Sequence, residues 1–235
     1  MRKVDKEFTL EELFGYLDEL PADMECFKIG RLSKDYQARY KDAYDHFIEV
    51  NEGDFTKKEK GKSLEELVQL MFQSTGQYYR VYANVRNGSN EIDLILRLSN
   101  KGMALKQLID DKYQKLIGEC KNYDKKVSVT YVGKFYSLMR TTHCNFGIVF
   151  SYHGISGENW GGGKGLIKKL FLLSEGSREN LYILDFCKTD FEEILSGQSI
   201  FEILNKKCFE LETGADCMKQ ITEHPNEEKM KKYID

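Results

Sequence analysis

Apolar residues recur along this chain at two different spacings, and the change of spacing divides it. Over the first 60 residues the period is helical. Thr9-Leu10-Glu11-Glu12 has the form of a capping box, and Leu10, Leu13, Phe14 and Leu17 follow at helical intervals until Pro21. A second helix is predicted from near Ser33. Its Tyr36, Tyr40, Tyr44 and Phe47 form an aromatic stripe, which reads as a packing surface rather than a base-stacking platform. Asn51-Glu52-Gly53-Asp54 reads as a turn, and Lys57 to Lys60 as a charged linker.

From Gly61 the pattern becomes mixed α/β. Ser63-Leu64-Glu65-Glu66 has capping-box form and opens a helix with Leu67, Val68, Met71 and Phe72 on its apolar face. Alternation predicts strands over Tyr79 to Val85 and Glu91 to Leu98, joined by the turn Asn87-Gly88-Ser89-Asn90. A long polar connection with room for a short helix spans residues 100 to 114. Further elements are a strand at Lys115 to Lys121, a helix at Val132 to Met139, a strand at Phe146 to Ser151, a basic helix at Lys164 to Leu173, a strand at Leu181 to Phe186 and a short helix at Asp190 to Leu195. Beyond Asn205 the periodicity weakens, which predicts a peripheral helix or loose tail. The expected organisation is a helical accessory segment (1–60), an α/β domain (61–205) and a charged C-terminal helix or tail (206–235).

Composition narrows the function classes. No apolar run approaches the roughly 20 residues needed to cross a bilayer, and the N-terminal residues lack the apolar stretch of a secretory signal, so a cytoplasmic location and no membrane partner are expected. Cys26, Cys120, Cys144, Cys187, Cys208 and Cys217 are scattered without a CxxC pair. With only four histidines, zinc-ligand spacing is absent and the cysteines read as reduced thiols. The net charge of −3 is unfavourable for an enzyme of nucleic acid unless positive charge is concentrated locally. Lys121, Lys125, Lys126, Lys134 and Arg140 lie close together, and Lys164, Lys168 and Lys169 follow. Lys125, Lys134, Lys164 and Lys168 are the expected phosphate contacts. A solvated lysine face paired with nearby acids is the alternative.

The strand Leu116-Ile117-Gly118-Glu119-Cys120-Lys121 carries the candidate chemistry. Side chains alternate along a strand, so Glu119 and Lys121 share a face. In the preceding strand Asp93 faces away from Ile92 and Leu94. Pairing of the two strands would gather two carboxylates and an ammonium on one sheet face. Magnesium takes hard oxygen ligands, often one or two carboxylates plus water and substrate phosphate. The lysine is suited to orient water or to balance charge in the transition state. Helical geometry puts Glu65 at the edge of the buried arc and Glu66 toward the far side, so Glu65 is the third candidate acid. An exposed sheet face with a salt bridge is the alternative reading of Asp93, Glu119 and Lys121.

Helix Gly61-Lys62-Ser63-Leu64-Glu65, strand Glu91-Ile92-Asp93 and strand Gly118-Glu119-Cys120-Lys121-Asn122 follow in that order. Together they resemble the PD-(D/E)xK nuclease superfamily, in its Mrr-like restriction endonuclease branch. The resemblance covers about residues 61 to 190. It implies an α/β, restriction-endonuclease-like αβββαβ core with a mixed central sheet flanked by helices, here with an N-terminal helical segment added. Val129 to Ser151 supplies the helix and strand of the second half. Ile92 replaces the family's proline, and the connection from Asp93 to Glu119 is long enough for an inserted helix. The resemblance implies that Asp93 and Glu119, with the Cys120 carbonyl and Glu65, ligate Mg2+ or Mn2+, and that Lys121 is the catalytic lysine. It implies hydrolysis of DNA to 5′-phosphate products, in restriction or phage defence. The alternatives are a nuclease of RNA or branched DNA, or a non-catalytic interaction module that keeps the fold. A homodimer, or a partner protein docking on the N-terminal helices, is also expected.

Other motifs carry less. Gly161-Gly162-Gly163-Lys164-Gly165 fails as a phosphate loop because Glu158 and Gly165 stand at positions that need Gly and Ser or Thr, although its amides and Lys164 remain candidates for phosphate contact. His143-Cys144 lacks an activating third group. His153 follows a strand and reads by default as an ordinary histidine. Tyr123 and Tyr131 are candidates to line a substrate groove and equally candidates for the core.

Overall fold

The computed structural model describes residues 29–87, 90–105, 109–157, 162–174 and 180–214. The helix expected at Thr9 to Leu17, the 87–90 turn tip, Glu158, Gly161, Cys26 and Cys217 fall wholly or partly outside them. A 3-10 turn at Lys34–Tyr36 leads into α1 (Gln37–Glu52), and α2 (Lys57–Ser74) follows. The sheet strands are β1 (Tyr79–Asn87), β2 (Asn90–Leu98), β3 (Lys115–Cys120), β4 (Phe146–Phe150) and β5 (Tyr182–Phe186). Helix α3 (Asn100–Ala104) lies between β2 and β3, α4 (Val129–Thr141) between β3 and β4, and α5 (Gly163–Ser174) between β4 and β5. Helices α6 (Lys188–Leu195) and α7 (Ile200–Thr213) complete the described chain.

Helix α2 starts six residues before the predicted cap at Ser63. Thr56, not Ser63, is its N-cap: the Thr56 hydroxyl accepts from the Glu59 amide and Glu59 Oε2 accepts from the Thr56 amide at 2.8 Å. Thr56-Lys57-Lys58-Glu59 offers the same pattern earlier in the chain, and its lysines are good helix formers. Lys57 to Lys60 is thus the first turn of the helix and not a linker. Ser63 is buried inside it, its hydroxyl donating to the Lys60 carbonyl at 2.9 Å.

The strand order is β1-β2-β3-β4-β5. The first three strands pair antiparallel, and β3, β4 and β5 pair parallel. The expected αβββαβ order is present as α2-β1-β2-β3-α4-β4 in a mixed sheet. Alternation along the strands sends side chains to two cores. Leu94, Leu96, Leu116, Ile148 and Leu184 pack with α1, α2, α6 and α7. Ile117, Val149 and Ile183 pack with Val132, Phe135 and Met139 of α4 and Ile167 of α5. The predicted aromatic stripe is packing surface: Tyr40, Tyr44 and Phe47 are all buried. From Asn205 to Thr213 the described chain is helix, the first of the two options that the weak periodicity leaves open. A Ser199–Glu202 capping box starts α7, and Cys208 still reaches the core.

Two glycines let the layers approach. A Cβ on Gly147 of β4 would lie 2.6 Å from Phe135 and 2.7 Å from the Met139 sulfur, and one on Gly118 would lie 2.9 Å from Phe150. Gly147→Val would push α4 off the sheet. It is expected to cost about 2 kcal/mol, in the range for overpacking a tight core, as read by urea denaturation.

Candidate active site

The last backbone pair between β2 and β3 is Leu94 with Gly118, and continuing the register sets Asp93 opposite Glu119. Beyond it β3, paired with β4 since Ile117, continues against β4 alone. Glu119 pairs with Val149, and the Lys121 amide donates to the Phe150 carbonyl at 2.8 Å. Asp93 closes the gap with its side chain: Oδ2 accepts the Cys120 amide at 2.8 Å. Lys121 reaches back between the two acids. Its Nζ is 2.6 Å from Glu119 Oε1 and 3.7 Å from Asp93 Oδ2. The three side chains are 21%, 17% and 18% exposed (Lys121, Glu119, Asp93), so the trio is a half-buried cluster and not an open surface bridge.

Glu65 on α2 is half-buried, whereas Glu66 is exposed and paired with Lys62 at 3.4 Å. Among the described residues Glu65 makes no hydrogen bond or ion pair. Burial, and then the Asp93 charge, push its carboxyl above the usual range, with Lys121 opposing. Glu119 is raised for the same reasons in the same order, despite its bond to Lys121. Burial works against the Lys121 ammonium, but Glu119 and Asp93 outweigh it and hold the ammonium above the ordinary lysine range. The Cys120 thiol is pushed well up by burial and the surrounding acids, so it stays protonated. Three acids surround one cation, and Glu119 Oε2 is buried without a hydrogen-bond partner among the described residues.

That donor set is all oxygen. Among the described residues no three His, Cys, Asp or Glu side chains converge as a ready metal cage. Asp93 and Glu119, with the Cys120 carbonyl on the same strand end, fit a hard cation that keeps waters and borrows substrate oxygens. The unpartnered Glu119 oxygen and the surplus negative charge both favour such a guest.

The loop after Lys121 is pinned to α2 at both ends of Lys60. Buried Asn122 donates from Nδ2 to the Lys60 carbonyl at 2.6 Å, and Lys60 Nζ pairs with Asp124 at 2.6 Å. Neither Asn122 nor Lys60 stood out in the sequence. Asn122 follows the ExK triplet directly, which is the signal that points to it. Lys125 lines a cavity at this loop, and Lys134 lies 5.4 Å from the Tyr131 ring beside it. Lys164 and Lys168 line a different cavity, and Lys168 donates to the Leu211 carbonyl at 3.0 Å. This second cavity also holds Asp185, which no motif in the sequence marks. Asp185 follows Glu119 and Val149 across the sheet, its Oδ2 accepts the Ile155 amide at 3.0 Å, and burial raises its pKa. It is the lone acid in the apolar run Leu181 to Phe186. Cys144 is buried with its thiol on backbone carbonyls, and His153 is exposed against Tyr152.

Residues 56–171 match the family model Mrr_cat, described as restriction endonuclease. The chain carries a restriction-endonuclease domain of the Mrr type. The matched segment of this Mrr-type domain opens at the Thr56 cap of α2 and contains Glu65, Asp93, Glu119 and Lys121, while β5 and Asp185 lie beyond it. The domain is therefore of a nuclease family, and restriction-endonuclease-like enzymes generally use divalent metal ions. No curated protein and no solved structure matches the chain.

Because Lys121 is the cation nearest Glu119, Lys121→Met in metal-free Mrr-type domain is expected to move the Glu119 carboxyl higher still. Carboxyl carbon NMR across a pH series reads this. An unchanged Glu119 titration would mean that solvent, not Lys121, sets its charge.

Proposed function

We propose that the domain is a magnesium-dependent endonuclease that hydrolyses the phosphodiester backbone of DNA, with manganese able to substitute, in a restriction or phage-defence role. The observation that carries this reading is the half-buried cluster of Asp93, Glu119 and Lys121, with one Glu119 oxygen unpartnered and Glu65 adding a third charge. A purely structural ion pair would satisfy its oxygens and match its charges.

Asp93 and Glu119 would hold the ion, together with the Cys120 carbonyl, and Glu65 is the further acid that tunes it. Magnesium held there would supply Lewis-acid stabilisation of charge on the phosphoryl oxygens. Asp93 keeps the end of β3 in place through the Cys120 amide, so the acids stay aligned while substrate enters. Lys121 is held protonated by its neighbours, so it acts as an ammonium that orients the attacking water and balances charge on the pentavalent phosphorus.

Asp93→Ala and Lys121→Ala are each expected to reduce cleavage of plasmid DNA by at least roughly 100-fold with the fold intact by circular dichroism. Activity should need magnesium or manganese, vanish in EDTA, and be replaced by binding without turnover in calcium. A folded Lys121→Ala protein with near-normal activity, or full activity in EDTA, contradicts the mechanism. An RNA and branched-DNA panel run beside the plasmid tests the substrate class.

The lysines divide by position. Lys125 and Lys134 stand beside the active site, so each replaced by alanine should weaken binding to all DNA sequences alike and lower the salt slope by about one unit. Lys168, engaged with the Leu211 carbonyl, should alter the slope least. Binding isotherms over a salt series read the difference.

A further inference from the structure

Next to Lys121 lies a cavity of about 430 Å³, walled by the first turn of α2, the loop from Asn122 to Ser128, and Tyr131 of α4. Its size is that of a pocket for one small ligand, and a duplex does not fit inside. Two kinds of chemistry line it. The first is aromatic. The Tyr123 and Tyr131 rings are half-buried, their centroids 5.4 Å apart at 36°, so they form a tilted pair on the cavity wall, with the Lys134 ammonium over the Tyr131 ring. The second is cationic. Lys57, Lys125 and Lys126 are exposed and make no ion pair among the described residues, and Lys60 is matched by Asp124. Four lysines against one acid make this wall strongly positive in a chain whose net charge is −3.

Phosphate contact alone would need the lysines but not the rings. Aromatic faces interleaved with cations are the combination that holds unpaired nucleotides, because every base has a face to stack and every link a charge to neutralise. Distance fixes which nucleotide is meant. Tyr123 follows Lys121 by two residues, at most roughly 7 Å along an extended chain. A base at the ring pair therefore neighbours a phosphate at Lys121. The pocket is also braced: Lys60 ties its floor to α2 through Asn122 and Asp124, so the rings sit on a fixed support.

We propose that this cavity is a nucleotide subsite, which takes one unstacked base beside the scissile phosphate on the Tyr123–Tyr131 pair, with Lys57, Lys125 and Lys126 on the flanking phosphates. The identity of the ligand rests on the nuclease reading above. On duplex DNA one nucleotide must leave the stack to enter, at a cost that mismatched or frayed sites have already met in part.

The test is a binding measurement in EDTA, where no cleavage occurs. The probes are two labelled five-nucleotide DNAs, one fully abasic and one carrying a single adenine among abasic positions. Fluorescence anisotropy with the full chain should show the adenine probe binding roughly tenfold more tightly, the size of one base–aromatic stack. Tyr131→Ala and Tyr123→Ala should shrink that ratio toward one, while Tyr131→Phe keeps it. Circular dichroism checks that each variant folds. Equal affinity of the wild-type chain for the two probes, or a ratio that survives in both alanine variants, overturns the subsite. Plasmid cleavage in magnesium is scored separately. Cutting without base-dependent affinity removes the subsite and leaves the nuclease reading, and base-dependent affinity without cutting does the reverse.

Discussion

The active end of this sheet depends on one hydrogen bond, from the Cys120 amide to Asp93 Oδ2. Up to Leu94 and Gly118 the strands β2 and β3 are joined by backbone alone. Past that pair β3 stays joined to β4 alone, and its amide on the β2 side would be left without a backbone partner. A buried unpaired amide is costly. The aspartate supplies the acceptor, and so the residue that repairs the sheet is also one of the acids of the candidate site. Gly118 serves the same junction from below: without a side chain it lets Leu94 and Phe150 close over the strand just before Glu119.

Charge at the junction is arranged as an incomplete set. Lys121 compensates Glu119 directly and Asp93 at longer range, and Glu65 adds a carboxylate that Lys121 does not bond. Burial first, and then the Asp93 charge, raise the affinity of Glu65 and Glu119 for protons. The basic wall around Tyr123 and Tyr131 lies immediately downstream in the chain. The candidate site thus sets an acidic centre beside a basic groove, and the charges of the two neighbouring volumes are opposite.

Much of this was legible in the sequence because period-2 alternation is a strong signal. Glu119 and Lys121 share a face, and Asp93 opposes the buried Ile92 and Leu94, as alternation requires. The choice of Glu65 over Glu66 followed from helical phase and agrees with their burial. The boundaries of α2 were misread because capping patterns recur. Thr56-x-x-Glu59 and Ser63-x-x-Glu66 look alike, and only tertiary packing of the first turn decides between them. Helix α7 was undervalued because its charged residues mask a narrow apolar stripe that still carries Ile203, Leu204 and Cys208 into the core. The bracing by Lys60 leaves no trace in the periodicity, because its bonds to Asn122 and Asp124 span 62 and 64 residues.

Lys60 links two parts of the molecule that the sheet does not join. Its carbonyl belongs to the helix that carries Glu65, and it receives the amide of the residue that follows Lys121. Its ammonium meets Asp124 two residues further on. The helix acid and the strand lysine are thus mounted on a common bracket. The two bonds couple the position of the loop to that of α2, so the helix and the strand end share one frame.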